Sequence, residues 1–173
     1  MSEIEEVKVV ETVDALFRAH YGRLVRALTL ACGNREVAED AVQEAFVKAH
    51  LHWRRIQRYD DPVGWVRRVA INRLRDDHRR QSRKGRALQR LSGEPQFDEV
   101  DQLSFGSDLS KMLIQLPRQQ RIAMALFYVD ELSIAEVASA LGVSEGAVKS
   151  YLHQGRARLR SVVASGEEVH SDE

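Results

Sequence analysis

The chain has 173 residues, of which 43% are hydrophobic and 30% charged, with 26 basic residues balancing 26 acidic ones. This length fits one ordinary domain or two small ones, and the hydrophobic content excludes a disordered chain. The single cysteine, Cys32, excludes an internal disulfide, and no apolar run is long enough for a membrane-spanning helix. The acidic N-terminus lacks the features of a secretory signal, so we expect a soluble cytoplasmic protein without membrane insertion.

Hydrophobic residues recur with helical spacing along most of the chain, and no segment shows convincing strand alternation. They predict a first helix from Val13 to Ala31, which Gly33 would end, and a second helix from Val37 to Ala49. Asp61 and Pro62 would begin a third helix, because aspartate caps well and proline is tolerated in the first turn. The residues that this helix would bury are Val66, Val69, Ala70 and Leu74.

We therefore expect an all-α fold of two small helical domains joined by a flexible linker. An acidic tail (1–9) precedes the first domain (10–82), and a polar linker (83–107) leads to the second domain (108–164) and a further acidic tail (165–173). Domains of this size bury a modest fraction of their surface, so each should be marginally stable alone. The extended linker could span about 80 Å, enough to cover two turns of duplex at roughly 34 Å each.

Positive charge is concentrated in the third helix and the start of the linker. Ten basic residues and only two acidic ones lie between Arg67 and Arg90, although the chain as a whole is neutral. Such a local excess favours a polyanion as partner. A solvated basic face is the alternative interpretation.

Five residues of the third helix are spaced to share the face opposite its buried stripe: Trp65, Arg68, Asn72, Arg75 and Arg79. An aromatic ring, cations and an amide together are suited to a separated DNA strand, through stacking, phosphate contacts and base-edge recognition. The preceding loop, Arg58, Tyr59 and Asp60, could receive an unstacked base with Tyr59 as its platform. Spacing alone leaves open that Trp65 is a core residue and the arginines only solvate the helix.

The clearest local motif is a helix-turn-helix. Ser133 and Glu136 form a capping box, Gly142 allows a sharp turn, and Ser144 caps a second helix. In this motif the second helix enters the major groove with its N-terminal residues leading. The residues predicted to contact duplex DNA are Ser144, Glu145, Lys149, Ser150, His153 and Arg156. The alternative is an ordinary helical hairpin with a polar face.

Four segments in order give a more specific indication: AEDAVQEAF (38–46), WVRRVAINRLRD (65–76), LPRQQR (116–121) and LSIAEVASALGVSEGAVKSYLHQGRARLR (132–160). Together they resemble the bacterial RNA polymerase sigma factors of the extracytoplasmic-function (ECF) type. The resemblance implies a non-enzymatic subunit that directs promoter recognition, DNA melting and transcription initiation. It implies that Asp40, Gln43, Glu44 and Phe46 bind the clamp helices of the largest subunit of core RNA polymerase.

The resemblance further implies that the first domain captures the non-template strand of the −10 promoter element. The second domain would read the −35 element as duplex and dock on the flap of the second-largest polymerase subunit, and an anti-sigma factor would be a further partner. Independently of the resemblance, one side of the second helix, away from its apolar stripe, carries Asp40, Gln43, Glu44 and Val47. This side is either a partner surface or a plain solvated face. Phe46 belongs to the apolar stripe.

Other functions fit the sequence less well. No nucleotide-binding or nucleophile-elbow motif occurs, and the six histidines and Cys32 show no metal-ligand spacing, so we expect no enzyme, cofactor or metal site. A stand-alone helix-turn-helix regulator is one alternative, although no dimerisation helix is evident. A sigma-like decoy that only occupies anti-sigma factors is another, and the basic third helix argues against it.

Overall fold

A computed structural model of the chain describes residues 12–92 and 108–167. The elements, in chain order, are α1 (Val13–Cys32), α2 (Arg35–Leu51), α3 (Trp53–Ile56), α4 (Pro62–Ser92), α5 (Asp108–Ile114), α6 (Arg118–Tyr128), α7 (Ile134–Leu141) and α8 (Glu145–Glu167). The predicted all-α class is confirmed. The N-terminal tail, residues 93–107 of the predicted linker and residues 168–173 lie outside the described residues.

Capping residues determine where the helices of the first domain begin and end. Gly33 has φ 82°, a left-handed conformation that costs glycine little, and it ends α1. Asn34 then begins α2 by accepting the N–H of Val37 at 3.0 Å. Asp61 begins α4 in the same way, accepting the N–H of Gly64 at 2.8 Å.

The helix-turn-helix is built as its sequence predicts. The Ser133 hydroxyl accepts the N–H of Glu136 at 3.2 Å, and the Glu136 carboxylate accepts the N–H of Ser133 at 2.8 Å. Gly142, with φ 68°, ends α7 in the left-handed conformation that the turn requires. Ser144 begins α8 by accepting the N–H of Ala147 at 3.1 Å.

The two domains share one continuous hydrophobic core rather than lying apart. In the first domain α2 packs on α1 and α4, and in the second α8 packs on α6 and α7. Between the domains, α1 lies against α5 and α6, and α4 lies against α7. The largest fully buried side chains come from both domains: Leu24, Leu28, Val42, Ile56, Val66, Ile71, Ile122, Leu126, Val137, Val148 and Leu152.

Helix α8 approaches α6 closely at Gly155. A Cβ at this position would lie 3.0 Å from Cγ of Met124, so the absence of a side chain permits the close packing of the two helices. Gly155 is accordingly buried. The same position lies in a long helix, where glycine costs about 1 kcal/mol relative to alanine.

Helix α4 differs from its prediction in two ways. It runs through Ser92, so residues 83–92, assigned to the linker, have helical backbone. Its buried residues include Val66, Ala70 and Leu74 as expected, but Val69 is only partly buried, and Arg67 and Ile71 are buried as well. The helix therefore buries a wider face than one domain would require, because α7 covers part of it.

Candidate nucleic-acid interface

The first turns of α8 carry the side chains that were assigned to duplex DNA. Val148 and Leu152 hold the inner side of the helix in the core, with 0% and 2% exposure. The outer side presents exposed residues: Ser144, Glu145, Lys149, Ser150 and His153. A helix anchored on one side and polar on the other has the form that enters a major groove.

A hydrogen-bonded chain orients one of these side chains. Gln120 on α6 donates through Nε2 to Oε1 of Gln154 at 2.7 Å, and Gln154 donates through Nε2 to the Ser150 hydroxyl at 3.2 Å. Gln120 is buried, so the chain connects the exposed Ser150 to the core of the domain. The role of Gln120 could not be predicted from the sequence, because its bond to Gln154 joins residues 34 positions apart.

Arg156 lies beside an apolar cavity of about 430 Å³. Its guanidinium donates to the Tyr128 hydroxyl at the end of α6, at 3.1 Å. Arg156, Tyr128 and Arg160 line the cavity. The rest of its lining is apolar and consists of Leu113 on α5, Met124 and Ala125 on α6, Val129 directly after α6, and Leu159 on α8. An apolar cavity with two arginines at its side could receive an apolar partner surface that carries acidic groups.

The residues assigned to a separated strand are only partly presented to solvent. Asn72, Arg79 and the loop residues Arg58, Tyr59 and Asp60 are exposed, and Tyr59 retains 38% of its accessible surface. Trp65 is half-buried and packs against the core. The loop and the exposed residues of α4 form one candidate strand surface.

Arg68 and Arg75, by contrast, contact the second domain. Nη2 of Arg68 donates to both the carbonyl and the hydroxyl of Ser139 at 3.0 Å, and Nη2 of Arg75 donates to the Leu141 carbonyl at 3.0 Å. Both acceptors lie on α7. The spacing of these arginines along α4 gave no sign of this partner.

Further contacts join the domains. Arg67 pairs with Asp130 at 2.8 Å, with only 8% and 1% of the two side chains exposed. Arg118 donates to the Leu74 carbonyl at 2.8 Å, and Arg23 forms an exposed ion pair with Glu131 at 3.1 Å.

Burial and neighbouring positive charges lower the pKa of two arginines at this junction. Burial lowers the pKa of Arg75 from its ordinary value, and the nearby charge of Arg79 lowers it further, while Tyr151 acts in the opposite sense. Burial likewise lowers the pKa of Arg118, followed by the charges of Arg121 and Arg75. Arginines of both domains, Arg75 on α4 and Arg118 on α6, therefore lie at this junction together with the carboxylates of Asp130 and Glu131.

The polar side of α2 is shaped by neighbouring helices. Gln43 donates to the Tyr21 hydroxyl at 3.2 Å, whereas Asp40 is exposed. Glu44 accepts from Lys48 at 2.7 Å and from Nε of Arg73 at 2.6 Å, and these bonds, Lys48 first, lower the pKa of its carboxyl. Glu44 is thus held in its charged form at the edge of α4.

Apolar groups lie beside these polar ones. Phe46 is 5% exposed, so it supports this surface from below rather than forming it. Its ring lies edge-on to Phe17 on α1, with centroids 5.1 Å apart, and Phe17 stacks on Tyr21 at 4.5 Å. Phe17 and Val47 remain exposed, at 39% and 58%. Sequence analysis did not identify the contribution of α1.

Within residues 12–92 and 108–167, no three histidine, cysteine or acidic side chains are grouped in a way that could hold a metal ion. In the same ranges, no helix combines the length and the apolar character needed to cross a bilayer.

Two protein-family models match the chain, one on each domain. The model for sigma-70 region 2 matches residues 16–84, and the model for sigma-70 region 4 matches residues 107–159. The first match begins inside α1 and covers α2, α3 and most of α4, and the second begins just before α5 and covers the helix-turn-helix.

Characterised relatives match most of the chain. It is 34% identical over 169 residues to the ECF RNA polymerase sigma factor SigE of Mycolicibacterium smegmatis, covering 92% of this chain and 63% of that protein. It is 36% identical over 148 residues to the ECF RNA polymerase sigma factor SigM of Mycobacterium tuberculosis, covering 84% and 74%. The chain thus spans less than two thirds of the length of SigE.

Solved structures share the fold. CnrH in complex with the cytosolic domain of CnrY superposes with a TM-score of 0.61 at 23% identity, over 88% of each chain. The sigma factor RpoE in complex with the anti-sigma factor NepR from Bartonella quintana gives a TM-score of 0.64 at 23% identity, over 86% of this chain and 94% of that one.

Proposed function

Since the chain belongs to the ECF sigma factors of RNA polymerase, which direct promoter recognition and are not enzymes, we propose a specific assignment of its surfaces. The chain binds core polymerase in the cytoplasm, brings it to a promoter, opens the DNA through binding energy and is then released. Each of the two domains holds one promoter element.

The first domain captures the non-template strand of the −10 element. Tyr59 stacks on an unpaired base at the start of α4, and Asn72 and Trp65 contact neighbouring bases. Arg68, Arg75 and Arg79 hold the phosphates, with Arg58 and Asp60 flanking the base site. The exposure of the 58–60 loop and of Asn72 and Arg79 supports this assignment.

The second domain reads the −35 element in the major groove. Lys149, Ser150 and His153 face base edges, and Ser144 and Glu145 lie at the leading end of α8. Arg156 contacts phosphate at the edge of the groove once it leaves Tyr128. The hydrogen-bonded chain from Gln120 supports a fixed orientation for Ser150.

Two surfaces bind core polymerase. Asp40, Gln43 and Glu44 on α2 contact the clamp helices, with Phe46 as support and Val47 as the apolar centre. The 430 Å³ cavity beside α6 and α8 receives apolar side chains of the flap. Its apolar lining and the adjacent arginines Arg156 and Arg160 support this choice.

An anti-sigma factor is a further proposed partner. Both structural neighbours are complexes, CnrH with the cytosolic domain of CnrY and RpoE with the anti-sigma factor NepR. A protein of this class would compete with polymerase for the α2 surface or the apolar cavity.

The observation that carries the proposal is the helix-turn-helix with its exposed polar helix. The test is transcription in vitro with core polymerase on a promoter library randomised at the −35 element. We expect Lys149→Ala to change the selected −35 sequences, whereas Lys111→Ala, an exposed lysine on α5, leaves them as in the wild type. Identical selected sequences for all three proteins would contradict the assignment of α8.

A further inference from the structure

Ser150, on the proposed −35 surface of α8, is connected by hydrogen bonds to a side chain that lies in the core. Gln120 donates through Nε2 to Oε1 of Gln154 at 2.7 Å, and Gln154 donates through Nε2 to the Ser150 hydroxyl at 3.2 Å. Gln120 lies in the first turn of α6 and is only 6% exposed, whereas Ser150 is exposed. A buried residue therefore sets the orientation of an exposed one.

The three side chains meet because α8 passes close to α6 at Gly155. A Cβ at this position would lie 3.0 Å from Cγ of Met124, closer than an ordinary van der Waals contact. Gly155 directly follows Gln154, so the close approach of the helices brings Gln154 within hydrogen-bond distance of Gln120. Gln154 and Ser150 are four residues apart on α8, which places their side chains on the same side of the helix. The packing of α8 on α6 thus assembles the chain.

The direction of the two bonds follows from what each amide can donate and accept. Once Gln120 donates to the carbonyl oxygen of Gln154, the amide nitrogen of Gln154 faces Ser150. The reverse direction would turn both amides over and place the amino group of Gln120 where its buried Oε1 lies, a position without a hydrogen-bond partner among the described residues. A buried N–H group without an acceptor is rarer in proteins than an under-satisfied carbonyl. The observed direction is therefore the stable one.

This direction decides how Ser150 binds a base. A serine hydroxyl both donates and accepts, so serine contacts donor and acceptor base edges alike. In this protein the Ser150 oxygen accepts from Gln154, which turns the hydroxyl proton away from the chain and toward the groove. The acceptors in a major groove are O6 and N7 of guanine, N7 of adenine and O4 of thymine, whereas cytosine presents the N4 amino group, a donor.

We propose that Gln120 is a specificity-determining positioning residue for the −35 element. Acting through Gln154, it fixes Ser150 as a hydrogen-bond donor, so the base opposite Ser150 is one with an acceptor edge, and cytosine is rejected. Gln120 is buried and touches no DNA itself. This inference rests on the proposed function for its view that α8 enters the major groove of the −35 element.

Two variants of the full-length protein break or reverse the chain while Ser150 stays in place. Gln120→Met keeps the size of the side chain but removes its donor, and Gln119→Met makes the same change at the exposed neighbouring position as a control. Gln154→Glu supplies a carboxylate that accepts from both Gln120 and Ser150, so it turns the Ser150 proton inward and presents the oxygen to the groove. Ala157→Glu adds the same charge at another exposed position of α8 and is the matching control.

Transcription in vitro with core polymerase, on a promoter library randomised at the −35 element, measures the base preference at each position. Gln120→Met should reduce the preference against cytosine at one position by about fivefold, the effect of losing one hydrogen bond. Combined with Ser150→Ala, it should cause no further loss. Gln154→Glu should increase the selection of cytosine at the same position, because the Ser150 oxygen then accepts from N4. Both control variants should keep the wild-type preferences, and a folding defect would lower transcription from all promoters alike.

Wild-type preferences in both Gln120→Met and Gln154→Glu would overturn the proposal, and so would effects of Gln120→Met and Ser150→Ala that add in full. Gln154 is exposed, so Gln154→Glu decides the question even if Gln120→Met does not fold.

Nuclear magnetic resonance of the side-chain amides in the free protein reports on the chain without DNA. Gln120→Met should shift the amide signals of Gln154, and Gln119→Met should leave them in place. Unshifted Gln154 signals in Gln120→Met would overturn the proposal. Failure of the proposed function is distinguishable, because it would appear as a wild type without any −35 preference whose Gln154 signals still respond to Gln120→Met.

Discussion

At the scale of single residues, the side chain of Glu136 makes the stability of the helix-turn-helix depend on pH. Its carboxylate accepts the Ser133 N–H, and this bond is the main cause of the lowered pKa of Glu136 relative to its ordinary 4.5. A carboxyl with a lower pKa in the folded state than in the unfolded state stabilises the fold above pH 4.5. That contribution is lost as the pH falls through the folded-state pKa.

We therefore expect Glu136→Gln to lower the free energy of unfolding at pH 7 and to flatten its decline between about pH 5 and pH 3. Urea denaturation at a series of pH values measures both effects. The amide of Glu136→Gln can still accept the Ser133 N–H, but only as a neutral group. Glu145→Gln removes one negative charge outside the capping box and serves as the control. Equal slopes for the wild type and Glu136→Gln would contradict this role for the capping box.

At the scale of helices, the polar side of α2 and the neighbouring residues of α1 form one surface. Phe17 contributes a partly exposed ring, and Val47 is the exposed apolar group closest in sequence to Gln43 and Glu44. Apolar groups surrounded by polar ones are typical of the energetically important centre of an interface. Val47 is 58% exposed, so a charge at this position should leave the fold intact.

Accordingly, Val47→Glu should weaken binding to core polymerase by at least about tenfold, which corresponds to 1.4 kcal/mol. His50→Glu places the same charge at another exposed position of α2 and serves as the control. Biolayer interferometry with immobilised core enzyme measures both affinities. Similar losses for the two variants would show that the effect is general electrostatic repulsion.

At the scale of helices, the sequence could predict the helix ends but not the contacts between distant helices. The capping box at Ser133, the turn at Gly142 and the start of α4 at Asp61 all depend on residues within a few positions of one another, and each was predicted. The burial of Arg67 depends on Asp130, 63 residues away, and neither residue carries a local signal of the other. The spacing of residues along α8 was enough to predict which of them are exposed. The role of Gln120 could not be predicted, because it depends on how α6 packs on α8.

At the scale of the whole molecule, the contact between the domains involves a residue that is also assigned to DNA. Arg75 on α4 donates to the Leu141 carbonyl on α7, and the proposed function assigns its guanidinium to strand phosphates. Burial at this contact lowers the pKa of Arg75 from its ordinary value. A substitution here should act on DNA opening and should leave the polymerase surface on α2 unchanged.

We expect Arg75→Glu to reduce formation of the open promoter complex by about tenfold or more, since a phosphate contact is replaced by repulsion. Polymerase binding should change by less than about twofold. Permanganate footprinting measures strand opening, and native gel electrophoresis measures assembly with core enzyme. Arg26→Glu, an exposed reversal on α1, should affect neither; equal loss of assembly and opening in Arg75→Glu would contradict the separation of roles.

The length of α4 has a consequence for which promoters can be used. Its 31 residues make a stiff arm of about 46 Å, and 15 residues, 93–107, remain before α5 begins. These can extend to about 50 Å at most. Each base pair added to the spacer turns the second recognition sequence by about 35° around the duplex axis. A rigid α4 followed by only 15 residues before α5 should therefore confine this chain to a narrow range of spacer lengths.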